Sequence, residues 1–471
     1  MKILLINAPV ANKIKIVREG RCMQREDAWG TSWAPLTLAT IAAVLKEAGF
    51  ATGIKDCTKE DIGLEGLKGI IKEFKPRLVI INTATPSIEN DLSCALSIKE
   101  VDSSIKTAAF GIHVTALDEE CLKSYPCVDF IIRGEPEYTA RDLAIAIRDN
   151  TPYQDIKGIS WQKDGSISRN NEREFIEDLD RLPSPAWEQV NIANYTMPIT
   201  GEVFLLVMAS RGCPHPCTFC AASTLYGKKR RYRSAKRIVD EMQDCKDHFG
   251  VSSFLFWAEG FVSDREHVYA LCDELEERGL KFKWVANSRV DTVDLALLKR
   301  MRKAGCWMIG YGIESGNQDI LDLVKKGTTL SQAQEAVRLA REAGIKSTAH
   351  VIVGFPGETK EHILRTAAFI NKLDVDFLQL YCCVPFPGSV LYSQAKREGL
   401  VNTDDWSMFE QNFCVLDTPQ ISAEEVMRLR KKIFSRFYLH PKRIWRVIRD
   451  IRSIKDLQNL LVMAKNFTHW A

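Results

Sequence analysis

A chain of 471 residues, 45% apolar and 27% charged, has the make-up of a soluble globular protein with room for two or three domains. A net charge of +3 offers no global attraction for nucleic acid. The 14 cysteines are scattered, unlike a small secreted framework, which favours a reducing cytosol and metal chemistry over disulfides.

In chain order, residues 2–8 read as a buried strand, followed by a polar, basic stretch to about Thr31. A helix over 35–49 carries Leu36, Leu38, Ile41, Ala42 and Leu45 near helical spacing and stops at Gly49. Strands at 51–55, 77–82, 106–110 and 129–133 then alternate with helices at 63–74, 90–100, 118–124 and 138–148. Continuous apolar strands separated by helices imply a doubly wound parallel sheet. Its ligand loops are expected at 7–10, 83–87, 111–115 and 134–137. No G-x-G-x-x-G follows the first strand, so a dinucleotide role is poorly supported. Residues 158–170 read as a hairpin turning at Asp164-Gly165. A proline-bearing linker with Pro183, Pro185 and Pro198 runs to about Gly201.

From Val203 the rhythm resumes, with six strands at 203–209, 253–257, 283–287, 307–312, 346–353 and 377–384. Helices over 295–304, 331–343 and 360–373 fall between them. Six units are too few for a closed eight-fold barrel, and the chemistry of such barrels sits at the carboxyl ends of the strands. Gly399 to Gln420 reads as a connecting segment. Residues 421–471 carry twelve Lys/Arg against four Asp/Glu, which makes the tail +8 and the remainder −5 (3 − 8). Pro441 starts a helix there, with Ile444, Trp445, Ile448 and Ile451 on one side and Lys442, Arg443, Arg446, Arg449 and Arg452 mostly on the other. Two readings stay open for it: an apolar face packed on the barrel, or an interfacial helix held by basic residues on an anionic membrane. Residues 1–10 show no signal-peptide cleavage pattern, and no apolar run approaches the ~18 residues of a spanning helix. The expectation is a cytoplasmic chain, with peripheral contact at the inner membrane as the membrane option.

The chemistry concentrates directly after the first strand of the second half, in Ser210-Arg211-Gly212-Cys213-Pro214-His215-Pro216-Cys217-Thr218-Phe219-Cys220. Three thiolates at C-x-x-x-C-x-x-C can hold three corners of an iron–sulfur cluster from one short loop. The fourth iron is then open to a substrate or cofactor. Gly212, Pro214 and Pro216 suit a tight loop. A zinc site would call for a second ligand pair, and Cys245, Cys272 and Cys306 are isolated.

This spacing, with Phe219 inside the last C-x-x-C, resembles the signature of radical S-adenosylmethionine (SAM) enzymes. In that family the open iron chelates SAM, and an electron from the cluster cleaves it to a 5′-deoxyadenosyl radical. The resemblance implies a partial six-unit βα barrel over 201–400. It assigns cluster ligation to Cys213, Cys217 and Cys220, and SAM contacts to strand-end residues. These are Phe219 and Gly354 near the adenine, Glu259 at the amino group, Arg289 at the carboxylate, and Glu314 with Ser315 at the ribose. The Asp-Asp pair common after the second strand in close relatives is absent here. Residues 1–150 resemble the cobalamin-binding domain upstream of many such enzymes. The matching pieces are Pro35-Leu36, Gly111-Ile112-His113-Val114-Thr115 and Asp129 to Glu137. Thr83, Thr85, Ser87, Gly111, His113, Gly134 and Glu135 are the implied cobalamin contacts. The Asp-x-His-x-x-Gly motif that supplies a cobalt-ligating histidine elsewhere is absent, since Asp56-Cys57-Thr58 lacks the His. That is usual in this group.

The whole is expected to be α/β: a doubly wound domain, a hairpin and linker over 151–200, the partial barrel, and a connecting segment with a helical tail over 401–471. The group includes the anaerobic magnesium-protoporphyrin ester cyclase and hopanoid-modifying enzymes. It implies methyl transfer, cyclisation or ring rearrangement at an unactivated carbon of a small, lipid-like or tetrapyrrole-like molecule. It also implies a four-iron–four-sulfur cluster, SAM, cobalamin, and an electron donor such as ferredoxin or flavodoxin. The alternative is a non-catalytic iron–sulfur electron-transfer or scaffold protein.

Overall fold

The computed structural model describes residues 1–10, 15–19, 24–25, 32–163, 165–197 and 200–450, with side chains up to residue 445, Gln24 aside. Asp164, Pro198, Ile451, Arg452 and the side chains of Arg446, Ile448 and Arg449 lie outside the described residues.

Five parallel strands form the first sheet: β1 (Lys2–Asn7), β2 (Ala51–Asp56), β3 (Leu78–Asn82), β4 (Lys106–Phe110) and β5 (Phe130–Ile132), in the order 2-1-3-4-5. This is a doubly wound order, which opens a ligand crevice at the carboxyl edge where the order reverses beside β1 and β3. Both faces are covered, so β1 and β3 are almost wholly apolar and buried. The expected hairpin, β6 (Ile159–Lys163) and β7 (Ser166–Arg169), adds to this sheet antiparallel to β5. Arg133, fully buried after β5, ties it down by donating to the carbonyls of Ile159 and Asn170.

The second sheet has six parallel strands in sequential order: β8 (Phe204–Met208), β9 (Ser253–Trp257), β10 (Lys283–Ser288), β11 (Cys306–Glu314), β12 (Lys346–Val353) and β13 (Phe377–Cys382). Sequential parallel pairing with two unpaired edges is the open, partial barrel expected from six units. Six of its helices begin on a capping side chain: Ser234, Asp264, Asp294, Thr329, Thr359 and Ser389 each accept a backbone N–H three residues on. Thr329 with Gln332 and Thr359 with His362 complete capping boxes.

Part of the basic tail belongs to the core. The helix Ala423–Tyr438 packs on β13 and buries Leu429, Ile433, Phe434 and Phe437. Arg430 is buried and donates to the Leu380 carbonyl and Asn412 Oδ1. Arg443 lies 3.6 Å over the Phe437 ring. Of the expected apolar face, Ile444 and Trp445 are exposed.

Candidate active site

The cluster loop leaves β8 through a turn that only glycine fits. Gly212 has φ +86°, and a Cβ there would collide with the Lys229 carbonyl oxygen. The loop is pinned by Cys213 N–H to the Gly227 carbonyl (3.2 Å) and Thr218 N–H to the Val324 carbonyl (3.0 Å). Cys213, Cys217 and Cys220 are half-buried and line one cavity of about 390 Å³ at the carboxyl end of the barrel. Three thiols from one short loop, opening on a cavity, are the donor set that a four-iron cluster with one open iron requires. Burial pushes the Cys217 thiol up, while Lys326 acts against that shift. His215, also on the cavity wall, is pushed down by burial and by Arg289.

Glu259, Arg289, Glu314 and Phe219 line the same cavity. The Phe219 ring lies 5.5 Å from that of Phe355. Glu314 sits just past a bulge in β11 and adopts φ +64°, a strained conformation for a non-glycine residue that aims its side chain at the cavity. Its Oε1 accepts from Lys326 Nζ at 2.6 Å. The Arg289 fork is largely committed. Nε and Nη2 hold Asp291 at 2.9 and 2.8 Å, and Nη1 and Nη2 also donate to the carbonyls of Lys326 and Gly327. Four of its five N–H groups are thereby engaged. Ser315 and Gly354 lie off the cavity. Ser315 is fully buried in a network with Asn317 and Thr366. Gly354 packs towards Val426 and Cys414, and its N–H is held by Glu358.

Lys326 carried no mark in the sequence. It is one of a Lys-Lys pair after a short helix, and Lys325 at φ +55° turns the chain so that Lys326 enters the cavity. Nothing local distinguishes it from a solvated lysine.

At the carboxyl edge of the first sheet, Thr83 donates to the Phe110 carbonyl, and Ser87 Oγ donates to Asp91, which also holds the buried Arg18 at 2.8 Å. Thr85 is fully buried beside them. Gly111 has φ +139°, and a Cβ there would lie 2.6 Å from Thr83 Oγ1. Gly134 has φ +69° with open space where a Cβ would be. His113 is buried, which pushes it down to about 3 and keeps it neutral; its ring packs edge-on to Trp406 at 4.6 Å. Its Nδ1 has no hydrogen-bond partner among the described residues. That orphaned nitrogen fits an edge shaped for a polar ligand, as do the uncapped helices starting at Ile88 and Pro136; the Leu36 helix is instead closed by Glu19, which accepts from the Thr37 N–H at 3.0 Å. Glu135 is spent elsewhere. With Glu137 it forms a buried ion-pair network to Arg211 (3.3 and 2.5 Å) and Arg231 (2.9 Å). Arg211 is the residue before Gly212, so the first sheet is bolted directly to the cluster loop. Trp33, from the first domain, lines the cluster cavity.

Profiles for the Radical SAM superfamily and for the B12-binding domain match residues 207–370 and 28–144. An uncharacterized methyltransferase of Pyrococcus horikoshii is 31% identical over 94% of this chain and 93% of its own. The chain belongs to the cobalamin-binding radical SAM enzymes. The anaerobic magnesium-protoporphyrin IX monomethyl ester cyclase of Cereibacter sphaeroides is 30% identical over 87% of this chain and 67% of its own. The solved structure of the methyltransferase TsrM from Kitasatospora setae, with cobalamin and a [4Fe-4S] cluster bound, superposes with TM-score 0.73 at 16% identity over 99% of both chains. This radical SAM protein is therefore an enzyme whose cofactors are a four-iron–four-sulfur cluster, SAM and cobalamin. That sets aside the scaffold alternative. No helix among its described residues is long and apolar enough to cross a membrane.

Proposed function

We propose that this enzyme transfers a methyl group to an unactivated carbon of a small, largely apolar molecule. The observation that carries this is the shared cavity: Trp33 of the cobalamin-binding half and the three cysteines line one space. When bound, the cluster supplies the electron that cleaves SAM, and cobalamin supplies a methyl donor. Cys213, Cys217 and Cys220 hold the cluster. Glu259 accepts from the SAM amino group, Glu314 from the ribose, and Phe219 packs on the adenine. With the Arg289 fork held by Asp291, the Lys326 ammonium supplies the cation for the SAM carboxylate, and Arg289 positions it through the Lys326 carbonyl. The first-sheet edge around Gly111, His113 and Gly134 would hold cobalamin. The electron comes from a low-potential protein donor of the ferredoxin or flavodoxin class.

The near-full-length methyltransferase relative supports methyl transfer. The cyclase relative keeps cyclisation or rearrangement as the second reading. SAM labelled in its methyl group separates them. Methyl transfer puts label in the product and yields S-adenosylhomocysteine alongside 5′-deoxyadenosine. Deoxyadenosine alone with unlabelled product refutes it. Peripheral contact with an anionic inner leaflet is the membrane part of this proposal, resting on exposed Ile444 and Trp445 beside basic Lys442. Salt-sensitive flotation with anionic liposomes tests it, and equal recovery of a chain ending near Gln420 removes the tail's role.

A further inference from the structure

The cavity has two chemically different ends. Every Asp, Glu, Lys and Arg on its wall, namely Glu259, Arg289, Glu314 and Lys326, sits at or beyond the strand ends near the cysteines. Below them the cavity continues inside the barrel, between Leu255, Val285 and Ile352, down to Phe204, Trp307 and Phe377. A full barrel fills this space with side chains. Here β11 contributes Gly310 and Gly312 to the interior wall, and the space stays open.

Gly310 also lets two polar groups converge. A Cβ on it would collide with Asn287 Oδ1 and lie 2.6 Å from His350 Nε2. The two atoms therefore meet over one point of the wall. Asn287 is in register with Gly310, and His350 with Gln379, so amide, glycine, imidazole and amide come from four successive strands. The His350 ring is parallel to that of Tyr381 (6.1 Å, 9°), which makes a flat wall beside this belt. Amide and imidazole groups on an apolar, aromatic wall read a polar group on an apolar body. The Lys326 ammonium, beside Gly312 in register with His350, is already paired with Glu314 Oε1 at 2.6 Å, so an anion entering here meets a cation whose charge is already answered.

We propose that Asn287, His350 and Gln379 form the substrate-recognition belt of this enzyme. The substrate inserts an uncharged, flat, apolar portion bearing a hydroxyl, carbonyl or ring N–H into the barrel interior, and any charged group it carries stays at the strand ends. This rests on the proposed small-molecule modification at this cavity, yet its test reads binding alone.

The probes are 2-naphthol and 2-naphthyl phosphate, followed by saturation-transfer NMR on anaerobically reconstituted, SAM-loaded holoprotein. Transfer to 2-naphthol is expected to exceed that to the phosphate about tenfold, because burying an unpaired anion costs far more than burying a hydrogen-bonded hydroxyl. Gly310→Ala, which pushes the belt apart, and Gln379→Leu, which keeps the volume but removes the amide, are each expected to abolish the 2-naphthol signal at equal iron content. Should Gly310→Ala not fold, His350→Leu takes its place beside Gln379→Leu. Equal transfer to both probes, or an undiminished 2-naphthol signal in the folded variants, overturns the belt. Methyl-label incorporation fails or succeeds independently of either result.

Discussion

The two parallel α/β regions differ in how they start most of their helices. In the barrel, six helices begin on a serine, threonine or aspartate whose side chain satisfies a backbone N–H of the first turn. In the first domain the helices after β1, β2, β3, β4 and β5 begin after Pro35, Gly63, Ser87, Gly111 and Glu135, with no side-chain cap on any. Orphan N–H groups must find water, a neighbour or a ligand. Most barrel helices are thus completed by their own side chains, the starts at Ala222 and Gln318 excepted; in the first domain the Leu36 helix is completed by Glu19, which accepts from the Thr37 N–H at 3.0 Å, and the starts at Ile88, Ile112 and Pro136 have no cap of their own. The same contrast holds for the interiors. The first sheet is covered on both faces by apolar side chains, whereas the barrel keeps an open column because Gly310 and Gly312 face inward.

The sharpest break between the regions comes from the cluster loop. Triple Cys213, Cys217, Cys220→Ala protein is expected to lose all cluster iron and all SAM cleavage, yet still bind hydroxocobalamin. Iron and sulfide analysis beside cobalamin absorbance checks both halves. Retained iron would show that the cysteines do not hold the cluster.

The next largest effect falls on the joint between the regions. Arg211 is buried between Glu135, Glu137 and the Tyr226 ring. Arg211→Ala leaves two carboxylates buried without it and is expected to cost about 3–5 kcal/mol, read from denaturant midpoints. Breaking an exposed ion pair such as Lys229–Glu177 should by contrast leave the midpoint nearly unchanged, because solvent screens it.

Proton linkage separates Glu358 from the rest of its strand end. Burial pushes it up to about 7, although it accepts from the Gly354 and Phe355 amides. Its folded value lies above the ordinary carboxylate value, so its contribution is fully present below about pH 4.5 and falls away as pH rises to about 7. Over that window the protein loses up to about 1.4 kcal/mol per pH unit from this group. Glu358→Gln should flatten the melting temperature against pH by that amount, and an unchanged slope would clear Glu358 of the role. The sign is the same for Glu19 and Glu410, also pushed up to about 7 by burial.

The smallest effect sharpens the capping contrast directly. Thr359→Ala removes a capping box and is expected to cost about 1 kcal/mol. Ser87→Ala removes no cap; its loss is the hydroxyl bond to Asp91. Hydrogen exchange at the first turns after Ile88 and Ile112 should slow when hydroxocobalamin is added, and the turn after Thr359 should not respond. Equal protection in both regions would remove the distinction.

Sequence alone carried the two-sheet architecture and singled out the cysteine loop. The largely apolar runs at Lys106–Phe110 and Ser253–Trp257 are strands from end to end. Such runs are legible because a strand buried on both faces can carry little but apolar residues. The three cysteines are legible because their ligand spacing is local. Tertiary structure alone decided which polar residues meet. Glu135 reads as a cofactor-loop carboxylate but faces Arg211 and Arg231, 76 and 96 positions along the chain (211 − 135 and 231 − 135). Lys326 reads as a surface charge but closes on Glu314, and Arg289 reads as an open fork but holds Asp291. A charged side chain carries no local mark of its partner. Its pairing is fixed only when packing brings distant segments together in a place where an unpaired charge costs too much to leave alone.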